Sequence, residues 1–224
     1  MASRLASLVE ASALPPASRA CLAAALRGSP GLKAELRRDP EGFIAGVGRL
    51  LDSAAGAIGC APDAALFVTG FEPSNRAPGR FDAALAELRA LCFLRSAGFS
   101  GLELLGRQRG KTADIRGRLA GREYFFEVCR VKPGAFGGPG AAAFAALKCD
   151  RKGPQVAAAV KRSPGASGGL VLVAGVPGFG RFRADAALSA AARAALEGRS
   201  GVPRLLCLLD GDRAGVWPAQ GLRS

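Results

Sequence analysis

Glu127 lies in the middle of Tyr124-Phe125-Phe126-Glu127-Val128-Cys129-Arg130-Val131, a strand otherwise rich in apolar and aromatic residues. A carboxylate buried in such a strand is costly unless an opposite charge or a metal ion meets it. A second acid, Asp114 in Lys111-Thr112-Ala113-Asp114-Ile115, precedes it by 127 − 114 = 13 residues. That separation suits a hairpin turning around Ala120-Gly121-Arg122, which would bring the two carboxylates side by side. In a chain of net charge +13, paired acids on a sheet point to a divalent-metal site acting on a polyanion.

The rest of the composition narrows the chemistry. There is no histidine among the 224 residues, which excludes Ser-His-Asp and Cys-His catalysis and any His-ligated zinc or iron. Six cysteines, at 21, 60, 92, 129, 149 and 207, form no C-x-x-C pair, so zinc binding is not expected and several read as small core residues. Hydrolysis would have to rest on carboxylates, Lys, Tyr, Ser or Cys, with or without an oxygen-liganded metal. The positive charge favours a nucleic acid or an anionic surface, although basic residues are spread along the whole chain. No charged segment followed by a clean apolar run marks a leader, and the apolar runs are too short to cross a bilayer. The expectation is a cytoplasmic protein with no membrane partner.

The elements that must position the acids are legible in the apolar spacing. Residues 1–75 read as a helical N-terminal region, either a small bundle or a cap, with Pro15-Pro16, Ser29-Pro30 and Asp39-Pro40 at helix starts. Residues 76–224 read as an α/β domain with a mixed central sheet flanked by helices. Its clearest helix runs from Phe81 to Ala97, closed by Gly98, with Glu87 at the edge of its apolar stripe. A strand near Leu102–Leu105 precedes the hairpin. Two helices are expected next, Ala141 to Cys149 and Gln155 to Lys161, broken apart at Gly153-Pro154. Buried strands at Gly169–Gly175 and Leu205–Leu209 bracket an Ala-rich helix from Ala184 to Leu196. Asp210-Gly211-Asp212 reads as a tight turn leading to Gly215-Val216-Trp217.

Over roughly residues 81–176 the arrangement resembles the PD-(D/E)xK, or restriction-endonuclease-like, nucleases. The likeness rests on the helix bearing Glu87, on Thr112-Ala113-Asp114-Ile115, and on Phe126-Glu127-Val128-Cys129-Arg130, followed by a helix with Gln155 and the strand Leu170–Val173. By that resemblance Asp114 and Glu127 would bind Mg²⁺ or Mn²⁺, and Glu87 would be an additional helical acid. Gln155 is similar to a glutamine found in members acting on DNA ends. The implied partner is DNA and the implied activity is hydrolysis of its phosphodiester bonds.

Cys129 departs from the pattern, because it stands where such nucleases carry a lysine. A neutral thiol supplies no ammonium to position or deprotonate water. Lys132 lies three residues on, and Arg130 is adjacent but on the other face by strand alternation. Lys111, three residues before Asp114, is the preferred substitute. The alternatives are a binding or assembly protein that keeps the nuclease fold without activity, and a basic scaffold whose N-terminal helices recruit a protein partner.

Overall fold

The structure is a computed structural model that describes residues 2–73, 79–106, 113–175, 182–201 and 203–218. Five helices come first: α1 (Ala2–Glu10), α2 (Pro16–Gly28), α3 (Pro30–Arg38), α4 (Pro40–Ile58) and α5 (Pro62–Val68). Four of them begin on a proline, whose fixed φ suits a first helical turn and whose missing N–H would have no partner there. Ser29 and Asp39 cap α3 and α4 by accepting the Leu32 and Gly42 N–H at 3.2 and 2.9 Å. No single helix among the described residues is long and apolar enough to cross a membrane.

The α/β part follows as α6 (Arg80–Ser96), β1 (Ser100–Leu104), β2 (Ile115–Leu119), β3 (Arg122–Val131), α7 (Ala141–Val160), β4 (Ser167–Ala174), β5 (Arg183–Ala184), α8 (Ala186–Leu196), β6 (Leu205–Asp210) and β7 (Arg213–Trp217). The sheet order is β1-β2-β3-β4-β6-β7-β5. The β1-β2-β3 meander is antiparallel, β3, β4 and β6 run parallel, and β7 is antiparallel to β6. This is the expected mixed sheet, with the two-residue β5 as an addition that the apolar pattern is too short to reveal.

Strand alternation divides the core into two layers. Val171 and Val173 of β4, with Leu205, Cys207 and Leu209 of β6, pack towards α6 and the N-terminal helices. Leu170, Leu172 and Ala174, with Leu206 and Leu208, pack towards α7 and α8. All eight β4 residues are buried, as a strand covered by helices on both faces must be. The apolar cluster on the α6 side runs without a break from Val9 and Leu22 through Leu51 and Leu91 to Phe126.

The structure corrects the expected break at Gly153-Pro154. α7 is one helix of 20 residues with Pro154 inside it. An internal proline removes one backbone hydrogen bond and typically costs about 3 kcal/mol. Ala145 and Cys149 before the proline, and Val156 and Ala159 after it, are all buried, as is Gly153, while Pro154 faces solvent. Burial on both sides holds the helix together against the local preference.

The hairpin turn is where the residue types place it, with Leu119 paired to Arg122 and Ala120-Gly121 as a two-residue loop. Both loop residues have positive φ, 50° and 78°, the pattern of a type I′ turn. Ala120 is a non-glycine residue in the left-handed region, which costs about 1 kcal/mol. Ala120→Asn should therefore raise stability by about 1 kcal/mol, seen as a higher urea midpoint at unchanged slope. An unchanged or lower midpoint would show that the turn carries no strain.

Candidate active site

The β2–β3 register pairs Ile115 with Phe126, so Asp114 enters the hairpin next to Glu127. The backbone holds Asp114 from three sides. Its N–H donates to the Phe126 carbonyl at 2.8 Å, its carbonyl accepts the Leu105 N–H at 2.9 Å, and Oδ2 accepts the Val128 N–H at 2.7 Å. The last bond ties the carboxylate directly to the strand that carries Glu127.

Glu127 pairs in register with Leu170, on the face turned to α7. It is 4% exposed, so its charge needs a partner, and the partner comes from the helix. Lys152 Nζ donates to Glu127 Oε1 at 2.7 Å. Because α7 continues through Pro154, Lys152 is held within a helix rather than placed in a connecting loop. Burial opposes the charge on Lys152, yet the hydrogen bond to Glu127 and the fields of Glu127, Cys129 and Asp114 hold its pKa above the usual lysine value.

A third acid acts on this pair electrostatically from the other layer. Glu87 on α6 is pushed up to about 9, by burial first and then by repulsion from Asp114 and Glu127, with Arg80 opposing. Asp114 is pushed up to about 7, again by burial first and then by Glu127, against the Val128 hydrogen bond and Lys152. Glu87 on α6 and Asp114 just before β2 are thus each repelled by the other and by Glu127 on β3, and Lys152 is bonded to Glu127. Burial and repulsion favour the protonated forms of Asp114 and Glu87 unless further positive charge arrives.

Hard carboxylate oxygens fit a divalent ion such as Mg²⁺. Asp114 Oδ1 and Glu127 Oε2 accept no hydrogen bond from a described residue, while the companion oxygens are held by Val128 and Lys152. A divalent cation would relieve the repulsion that raises Asp114 and Glu87. Among the described residues, no three His, Cys, Asp or Glu side chains are already gathered in metal-holding geometry.

Of the residues singled out in the sequence, Asp114, Glu127 and Glu87 are brought within one electrostatic field. Gln155 lies on α7 three residues beyond Lys152, without a hydrogen bond to a described residue. Cys129 packs beneath α7 with its thiol pKa raised, by burial first. Arg130 faces away, towards α6, and pairs with Asp82 at 3.5 Å. Lys132 is exposed past the end of β3. Lys111, the preferred substitute for the missing lysine, lies outside the described residues. The residue missed at the sequence level is Lys152. Its signal was the spacing Lys148, Lys152, Gln155 along one side of a helix, hidden because Gly153-Pro154 reads as a break.

Two outcomes test this geometry. Lys152→Met leaves Glu127 buried without its cation and should cost about 2–3 kcal/mol, less than a fully buried pair because Lys152 is 31% exposed. Adding Glu127→Gln should recover part of that loss in a double-mutant cycle, whereas simple additivity would show that the pair does not interact. The second outcome concerns pH. Asp114 and Glu87 hold protons more tightly folded than unfolded, so raising pH from about 4 removes stability, through about 7 for Asp114 and about 9 for Glu87. In EDTA the Tm of Glu87→Gln should therefore fall less than that of the parent between pH 7 and 9. Parallel Tm profiles would count against a buried, repelled Glu87.

No family model, curated protein or solved structure matches this chain, so the reading of the site rests on its own geometry.

Proposed function

We propose that the chain is a Mg²⁺- or Mn²⁺-dependent DNA phosphodiesterase of the restriction-endonuclease-like kind, with its catalytic amine delivered from α7 instead of β3. The observation that carries this reading is Lys152 Nζ at 2.7 Å from Glu127, on the hairpin that holds Asp114. An acid pair with an adjacent amine is thereby restored in a chain whose strand position 129 is a cysteine.

Asp114 and Glu127 would hold the ion, with Glu87 as the further acid on α6. When bound, the ion supplies a Lewis acid that neutralises charge on the phosphate and lowers the pKa of its water. Lys152, held as an ammonium beside Glu127, would donate to and orient the attacking water, in the place left by Cys129. Gln155, three residues along α7, would donate to a substrate phosphate or that water. The net charge of +13 draws a polyanion to the surface before any specific contact forms.

A second reading, a nucleic-acid-binding or assembly protein without activity, is favoured by one observation. The Glu127–Lys152 pair satisfies a nearly buried carboxylate by itself, as a purely structural ion pair would.

Incubation with plasmid and linear DNA in Mg²⁺, Mn²⁺ or EDTA separates the two. The catalytic reading expects metal-dependent cleavage that is abolished in Asp114→Ala and Glu127→Ala. Lys152→Ala should lower the rate by about 10²–10⁴, and Lys111→Ala should leave it within a few-fold. DNA binding that persists in EDTA, with no cleavage in either metal, would establish the second reading instead.

A further inference from the structure

The hairpin that carries Asp114 and Glu127 has another end, and a cleft opens there. Leu119, Arg122 and Tyr124 of the hairpin meet Ser167 at the start of β4, Leu205 at the start of β6 and Trp217 at the end of β7. They surround a space of about 640 Å³. Arg199 and Arg204 complete a lining that contains three arginines and no Asp or Glu.

The charges behind this lining differ in how far they are already used. Arg199 is paired with Asp150, outside the cleft. Arg193 lies 5.3 Å above the Trp217 ring and is 3.8 Å from Glu197. Arg122 and Arg204 are exposed and make no ion pair among the described residues. Arg204 is anchored through its backbone N–H, which donates to the Gly168 carbonyl at 2.8 Å. The hydroxyls of Tyr124, Ser167 and Ser200 make no hydrogen bond to a described residue. Among the described residues, donors without acceptors, two guanidinium groups without an ion pair and two partly covered aromatic rings therefore share one concavity.

We propose that this cleft holds a single-stranded segment of nucleic acid. Guanidinium and hydroxyl donors suit successive phosphates, and the ring surface of Tyr124 and Trp217 left uncovered by Phe99, Phe126 and Arg193 suits unpaired bases. A duplex keeps its bases stacked on one another and presents none of them to such rings. By strand alternation Tyr124 and Arg122 share the α6 face with Phe126, whereas Glu127 is on the α7 face, so the cleft is a place separate from the acids. The inference rests on the chain acting on nucleic acid, not on its cleaving it.

The test is fluorescence anisotropy of the full chain with a labelled oligo-dT in EDTA, so that cleavage plays no part. Arg122→Ala with Arg204→Ala removes two exposed side chains and leaves the core alone. That variant should bind about tenfold more weakly at low salt, and its salt slope should shrink by about 1.4, at about 0.7 for each single-strand phosphate that is no longer neutralised. Arg37→Ala with Arg38→Ala, two exposed arginines on α3 away from the cleft, should bind as the parent does. Unchanged affinity in the Arg122 and Arg204 variant would overturn the proposal, as would an equal loss in the α3 variant. Equal competition by a duplex or by polyglutamate would also overturn it, by showing a generic anion or protein surface. If metal-dependent cleavage is never seen but binding maps to the arginines, the nuclease reading fails and the cleft stands.

Discussion

The structure is organised around a carboxylate buried in a mixed sheet. Glu127 is on β3, between the antiparallel meander and the parallel β4, with helices covering both faces. A charge in that position must be met by another charge, and the cation available is Lys152 on α7. That requirement sets a condition on the helix. α7 has to run through Pro154 and keep its buried stripe against the sheet, or the amine would not be held where Glu127 needs it. The apolar packing of Cys149, Gly153 and Val156 supplies the stability that the proline removes.

The two faces of β3 handle charge differently. On the α7 face the Glu127–Lys152 pair is short, and its amine keeps part of its surface in solvent. On the α6 face Arg130 meets Asp82 at 3.5 Å, with Asp82 Oδ1 and Arg130 Nε buried and without partners. Arg89, also on α6, is 3% exposed, makes no side-chain hydrogen bond to a described residue and lies 5.8 Å from the Phe182 ring. Burial pulls its pKa down to about 10. Unsatisfied polar groups of this kind carry a real energetic cost, and the large cluster of Leu and Phe side chains on that face offsets it. Glu87 belongs to the same helix, and its proton affinity reflects the same dry surroundings.

Much of this architecture was legible in the residue types because the relevant physics is local. Short continuous apolar runs marked β4 and β6, glycines marked the end of α6 and the β6–β7 turn, and prolines marked the starts of α2, α3 and α4. The Asp114–Glu127 relation was legible for the same reason, since a two-residue turn fixes the register of both strands. Lys152 was not. A Gly-Pro dipeptide signals a break in any local reading, and only the burial on either side of it reverses that signal. Glu87 was visible as an acid at the edge of a helical stripe, but its company was not, because it depends on how α6 lies against the sheet.

The sequence by itself determined the alternation that buries each strand, the hairpin that joins Asp114 to Glu127, and the absence of histidine chemistry. These follow from neighbours a few residues apart, where backbone geometry leaves few choices. The tertiary structure decided which cation meets Glu127, and with it whether position 129 had to be basic. Lys152 is 152 − 127 = 25 residues from its partner, and that pairing exists only because packing along α7 outweighs the local preference of Pro154.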